Sequence, residues 1–131
     1  MALAVTSDVI ATLIAEAATA APRECCGILL GTGERIARAV PAANIAAEPL
    51  VRFELDPAAL FAAHKAARAG GRAVIGYYHS HPAGHPLPSA TDCAHATGDG
   101  SVWAIVAGGE VGFWRDTGLG FEALSYVVAD G

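Results

Sequence analysis

The run Ala73–His81 (AVIGYYHSH) passes directly into Pro82–Pro88 (PAGHPLP), and this junction constrains the fold more than any other stretch of the chain. Val74 and Ile75 are β-branched and Tyr77 and Tyr78 aromatic, a composition suited to a pleated, half-buried strand. Three prolines in the next seven residues remove ladder donors, so the strand must end there in an irregular loop. Side chains two apart on a strand share a face, so His79 and His81 project side by side at its end. Whatever the fold, one strand must deliver two imidazoles to the base of a stiff loop.

Turn and cap signals divide the rest of the 131 residues. Ser7 can cap a helix from about Asp8 to Ala20, with Val9, Ile10, Leu13, Ile14 and Ala17 on one face and Pro22 beyond its end. Cys25–Leu30 and Arg35–Val40 read as a strand pair about Gly31-Thr32-Gly33, and Val51–Leu55 alternates as a further strand after a loop through Pro41 and Asn44. Asp56-Pro57 opens a second helix that ends before Gly70-Gly71. Ser89 with Asp92 three residues on has the pattern of a capping box, opening a short helix over about Ala90–Thr97. Val102–Ala107 and Val111–Arg115 flank the hairpin signal Gly108-Gly109, and a last strand covers about Glu122–Val128. Six or seven strands with two long helices and one short helix predict a layered α/β or α+β fold, formed by residues 1–131 as one domain.

Composition narrows the partners. Hydrophobic residues make up 53% and charged residues 16%, as in a packed globule. Asp plus Glu number 13 against 8 Lys plus Arg, a net charge of −5, with no basic cluster. Nucleic acid and anionic membrane are therefore not expected as partners. No apolar run reaches the ~18 residues that cross a bilayer. The N-terminal stretch has no basic n-region and is broken by Asp8 and Glu16, so it reads as an amphipathic helix and not a secretory signal. Three cysteines, two of them adjacent (Cys25, Cys26), make no disulfide framework, which favours a reducing cytoplasm.

The chemistry centres on His79-Ser80-His81-Pro82, Ser89 and Asp92. Two imidazoles and one carboxylate make a three-ligand zinc site with the fourth position left for water, as in catalytic zinc. Asp92 suits the third ligand: it lies eleven residues after His81, across the proline-stiffened loop. A zinc-bound water can ionise near pH 7, and its proton needs an acceptor. Glu24, at the head of the Cys25–Leu30 strand, is the acid best placed for that. An H-x-H pair alone also fits two polar residues on a solvent face; Ser89 and Asp92 at these offsets separate the readings. Rival metal motifs fail on the letters. Ala83 and Gly84 stand where a metallo-β-lactamase pattern needs Asp and His. No P-C-x-x-C accompanies an H-x-E, as cytidine deaminases require. A (β/α)8 amidohydrolase barrel needs roughly 200 residues.

The string H-S-H-P-x6-S-x2-D, with an upstream glutamate in P-R-E-C-C-G-I-L-L-G and the segment R-F-E-L-D-P, resembles the JAMM (MPN+) zinc metalloproteases, in particular small stand-alone prokaryotic members. The likeness runs from about Pro22 to Val128. It implies that His79, His81 and Asp92 bind one zinc ion per chain, with a water as fourth ligand. Glu24 would then be the general acid/base, and Ser89 would steady the oxyanion of a tetrahedral intermediate. The implied fold is a curved, partly barrel-like mixed sheet flanked by helices, related to the deaminase fold. The implied activity is hydrolysis of an amide at the C-terminal tail of a small ubiquitin-like protein, a sulfur carrier ending in Gly-Gly. Deconjugation from lysine, a zinc amidase acting on a small molecule and a non-catalytic MPN scaffold are the alternatives.

Other residues have plainer expectations. Ser89 also fits the N-cap of the short helix. His85 reads as a solvated loop residue, and His64 and His95 as structural or surface histidines. Cys25 and Cys93 each follow a proposed site residue and could lie close, although buried free thiols are the default. One of Tyr77 and Tyr78 should face the core and the other the site; Trp103 and Trp114 read as core or hairpin packing.

Overall fold

The computed structural model describes residues 2–130. Among these, eight strands form one mixed sheet: β1 (Leu3–Val5), β2 (Cys26–Thr32), β3 (Arg35–Ala42), β4 (Ala73–Ser80), β5 (Val102–Ala107), β6 (Glu110–Thr117), β7 (Gly120–Leu124) and β8 (Tyr126–Val128). Three helices accompany it: α1 (Ser7–Ala20), α2 (Pro57–Arg68) and α3 (Ala90–His95). The strand order is β7-β6-β5-β4-β2-β3-β1-β8. β7 and β8 therefore end opposite sides of the sheet, yet only Ser125 separates them in the chain, so the sheet must curl until its edges nearly meet. Phe113 of β6 packs edge-on against Tyr126 of β8 across that curl, with ring centroids 4.8 Å apart. The expected curved, partly barrel-like mixed sheet with two long helices and one short helix is the observed architecture.

Apolar residues from both chain ends close the core. Leu3 and Val5 of β1, Val9 and Leu13 of α1, Leu29, Ile36, Tyr78, Val102 and Phe113 are buried together. α1 buries Val9 and Leu13 here with Ile10 and Ala17 packed against the core, whereas Ile14, expected on the same face, is exposed. α2 contributes no buried residue and begins at Pro57 behind an Asp56 cap, whose carboxylate accepts the Ala58 N–H. None of these helices is long and apolar enough to cross a membrane.

Several departures from the expected elements follow from specific hydrogen-bond partners. Leu3–Val5 is a strand, because it pairs in parallel with both β3 and β8. Thr6, and not Ser7, caps α1, while Ser7 bonds the Asp130 carboxylate. The strand expected at Glu122–Val128 is two strands on opposite sheet edges. Val51–Leu55 forms no strand; only an isolated bridge joins Leu55 to Asn44, and the Asn44 side chain takes the place of a neighbouring strand. Strand β3 also runs two residues past Val40, with Pro41 tolerated where only β2 is its neighbour.

Candidate metal centre

The site stands at the C-terminal end of β4. Antiparallel pairing of β2 with β4 sets Cys26 opposite His79, so the chain just before β2 runs past Ser80 and His81. The Cys25 N–H donates to the Ser80 hydroxyl at 2.8 Å, and the Ser80 N–H donates to the Cys25 carbonyl at 3.1 Å. On the other side β5 runs parallel to β4, and the His81 N–H donates to the Val106 carbonyl at 2.8 Å. His79 and His81 are thereby fixed by main-chain ladders before any loop contributes.

The two imidazoles converge. His79 Nε2 and His81 Nε2 lie 3.1 Å apart, and Asp92 Oδ2 lies 3.1 Å from the first and 3.2 Å from the second. Asp92 arrives there as the fourth member of a capping box: the Ser89 hydroxyl accepts the Asp92 N–H and the Asp92 carboxylate accepts the Ser89 N–H at 2.9 Å. Glu24 also approaches, with one ligand-type atom each from Glu24, His79 and His81 within 4.8 Å of one another.

This donor set fits a small divalent cation. Bonds of 2.0–2.1 Å around a tetrahedral ion place neighbouring ligand atoms about 3.3 Å apart, close to the observed 3.1 to 3.2 Å triangle. His81 Nδ1 lies 2.8 Å from the His85 carbonyl, which can only accept, so Nδ1 carries the proton and Nε2 presents its lone pair to the triangle. Buried His79 Nδ1 has no hydrogen-bond partner among the described residues. A cation at the centre of the triangle would balance the lone pair and the ionised carboxylate directed at it.

The two carboxylates differ in electrostatics. Burial acts on both, but the two imidazoles beside it and the Ser89 N–H donor outweigh it at Asp92 and hold that carboxyl well below the usual range. Glu24 lacks such donors; burial, with Asp92 nearby, pushes it up to about 7 against the opposing pull of His81. Burial lowers the pKa of His79, despite Asp92. At His81 burial opposes protonation, but Asp92, the His85 carbonyl and Glu24 raise it overall.

Aromatic rings and two cavities frame the centre. Phe53 stacks on His79 with centroids 4.3 Å apart and planes 19° from parallel, and Trp103 meets the same imidazole edge-on at 5.7 Å. A cavity of about 250 Å³ is lined by Phe53, Leu60, Tyr77 and Trp103, with Glu24 and Ser89 at its polar end. A more open groove of about 420 Å³ continues past Val51, His81, Leu87 and Ser89, so a cleft crosses the centre.

Each residue singled out above now has a place. Glu24, His79, His81, Ser89 and Asp92 come together. Tyr78 is fully buried in the core and Tyr77 faces the cleft, as alternation predicts. His85 contributes its main-chain carbonyl with its side chain exposed, and His64 and His95 are exposed. Cys25 and Cys26 are buried free thiols, whereas Cys93 is free and exposed, so no Cys25–Cys93 pair forms. Trp103 is part of the cleft wall and not core packing alone. The Trp114 indole N–H donates to the Pro86 carbonyl at 3.1 Å, pinning the proline loop to β6. Two contributors went unmarked as site residues: Phe53, whose segment alternates like a strand but forms none, and Asn44, whose four side-chain hydrogen bonds tie Glu24 to the Phe53 loop.

Comparison with known proteins agrees with this geometry. The chain is 39% identical over 110 residues to the desampylase of Haloferax volcanii, covering 82% of this chain and 79% of that protein. It is 28% identical over 131 residues to the CysO-cysteine peptidase of Mycobacterium tuberculosis, covering 98% and 84% of the two chains. The fold matches a JAB1/MPN domain protein from Archaeoglobus fulgidus with a TM-score of 0.65, at 20% identity, over 98% of this chain and all of the other. Residues 6–117 match the model for prokaryotic homologs of the JAB domain. With the H-S-H-P-x6-S-x2-D string folded into one compact centre, the chain belongs to this prokaryotic branch of the JAMM (MPN) family.

Proposed function

We propose that residues 1–131 act as one zinc-dependent peptidase or isopeptidase unit, cleaving an amide at the C-terminal tail of a small ubiquitin-like, sulfur-carrier type protein ending in Gly-Gly. The observation that carries the reading is the triangle of His79 Nε2, His81 Nε2 and Asp92 Oδ2, with Glu24 beside it. The names of the two relatives, a desampylase and a CysO-cysteine peptidase, support a peptidase reading. The acidic balance and lack of a basic cluster favour a protein tail over nucleic acid or membrane, and a cytoplasmic location suits three free thiols.

The chain's groups divide the work. His79, His81 and Asp92 hold the cation, one per chain; Asp92 is the ligand carboxylate because it stays ionised and touches both imidazoles. A zinc ion so held acidifies water and polarises a carbonyl. Glu24, buried beside the triangle, takes a proton from the attacking water and hands it to the departing amine. The Ser89 hydroxyl lies at the cleft between both cavities, where it donates to the oxygen that gains charge as the carbonyl is attacked. The cleft passes the substrate tail across the centre and keeps solvent from its apolar wall.

The test is mass spectrometry of ubiquitin-like carriers with extended or lysine-linked tails, incubated with the zinc-loaded protein and with Glu24→Gln. Trimming or deconjugation by the parent alone is expected. A parent that holds zinc but leaves every such tail intact while hydrolysing small amides would overturn the substrate assignment.

A further inference from the structure

We infer that Asn44 is a positioning residue for this centre: its side-chain amide ties the main chain of Glu24 to the loop that stacks Phe53 on His79. Nδ2 donates to the Glu24 carbonyl at 2.9 Å and to the Arg52 carbonyl at 3.1 Å. Oδ1 accepts the Ala46 N–H at 3.1 Å and the Glu54 N–H at 3.0 Å. Those four bonds use the two donors and two lone pairs of the amide. They also fix which way it points, since only carbonyls face one side and only N–H groups the other.

The targets make this more than a loop staple. Arg52 and Glu54 are the neighbours of Phe53, so Asn44 grips the chain on either side of the ring that lies on His79. The Glu24 peptide is held from the same loop at both ends of the residue, because its N–H donates to the Pro49 carbonyl at 2.8 Å. One side chain therefore sets the distance between the acid and the aromatic lid of an imidazole. Asn44 touches neither Nε2 atom and acts only through Glu24 and Phe53. Reacting groups tolerate little misplacement: an error of about 1 Å costs on the order of 10²-fold in rate.

The role in turnover rests on the proposed hydrolase reading; the clamp does not. Asn44→Asp keeps the side-chain shape and both acceptor bonds but turns oxygen lone pairs toward the Glu24 and Arg52 carbonyls. Asn44→Ala removes all four bonds and serves as the second variant, in a half-buried surface loop where neither change empties the core. Two readings are taken on the zinc-loaded chain: kcat and KM on a cleaved carrier, and the His79 ring-proton shifts by NMR, with Phe53→Leu supplying the unstacked value. The expected result is unchanged zinc content, a fall in kcat of roughly tenfold or more, and His79 signals moved toward those of Phe53→Leu. Turnover within about twofold of the parent in both variants would overturn the proposal, even if the melting temperature drops. Should the parent cleave no carrier, the function reading fails by itself, and His79 signals unmoved in both variants still refute the clamp.

Discussion

Cys26 and His79 face each other as register partners across β2 and β4, and this pairing brings Glu24 into the site. The pairing extends to Cys25 through one main-chain bond from Ser80 and one to the Ser80 hydroxyl, so the segment that follows α1 is carried toward His81 by the end of the sheet and not by a flexible loop. The loop from Asn44 to Leu55 then holds Glu24 from its other side. An acid contributed near residue 24 and imidazoles contributed near residue 80 are thus held by sheet geometry, while Asp92 comes in on the rigid first turn of α3. Three separate elements converge, each anchored by its own backbone.

Glu24 makes the stability of the metal-free protein depend on pH. Its carboxyl sits at about 7 in the fold against 4.5 ordinarily, so the folded state binds this proton more tightly than the unfolded chain. Below about pH 4.5 both states are protonated and nothing is lost; between 4.5 and 7 the folded state progressively loses stability, and above 7 the loss is complete. Glu24→Gln removes the buried charge. Chelator-treated Glu24→Gln should match the parent at pH 4 and exceed it at pH 8 by about 1–2 kcal/mol, a figure reduced from the full shift because the carboxyl borders the open cleft. Urea titrations at the two pH values measure this. Equal stability at pH 8 would show that burial does not strain Glu24.

His81 and His85 are separable although they touch. His81 supplies its ring to the triangle, whereas His85 supplies only its main-chain carbonyl to His81 Nδ1. His81→Ala should lose zinc on dialysis, while His85→Ala should retain stoichiometric zinc and turnover within about threefold, since the carbonyl remains. On acidification His81 should be the first of the two imidazoles to protonate, because its pKa is raised and that of His79 is lowered. Zinc affinity should therefore begin to fall above the ordinary histidine range. Metal analysis after dialysis, repeated between pH 8 and 5, checks both statements.

Legibility divided along physical lines. The H-S-H-P string, the Ser89–Asp92 box and the Asp56-Pro57 helix start could be read directly, because ligand spacing, caps and proline chemistry act over a few residues. Leu3–Val5 could not, since a three-residue strand exists only through β3 and β8, which lie far away in sequence. The alternation of Val51–Leu55 misled for the opposite reason: the pattern is real, but the Asn44 amide captured the backbone groups that a partner strand would have used. Phe53 and Trp103 were invisible as site residues because their ring contacts with His79, one stacked and one edge-on, relate three separate elements and leave no local signal.

Two glycines on neighbouring strands test how closely the sheet is packed beneath the site. A Cβ on Gly27 would run into the ring of Tyr78, its register partner, and one on Gly76 would run into the Val102 carbonyl of the adjacent strand. A ring can tilt, though Tyr78 is fully buried; a ladder carbonyl cannot move without breaking β4 from β5. Gly27→Ala should cost about 1–3 kcal/mol, the usual range for overpacking, and Gly76→Ala more than that or fail to fold. Denaturant unfolding ranks them, and the reverse order would contradict the stated geometry.

Ser89 carries two assignments that one pair of substitutions can part. As N-cap of α3 its hydroxyl accepts the Asp92 N–H at 3.1 Å, and losing a cap costs about 1 kcal/mol. As the proposed donor to the developing oxyanion, the same hydroxyl should be worth on the order of 10²-fold in kcat. Because Asp92 is itself the box partner, the cap also steadies a ligand, so zinc retention must be measured alongside. Ser89→Ala is expected to lose about 1 kcal/mol of stability and most of its turnover while keeping zinc at saturating metal; Ser89→Thr, which keeps the hydroxyl, should recover both. A hydroxyl that only capped the helix would leave kcat intact in Ser89→Ala once zinc is saturating. Unfolding curves, zinc content and kcat measured on the same three proteins separate the two roles.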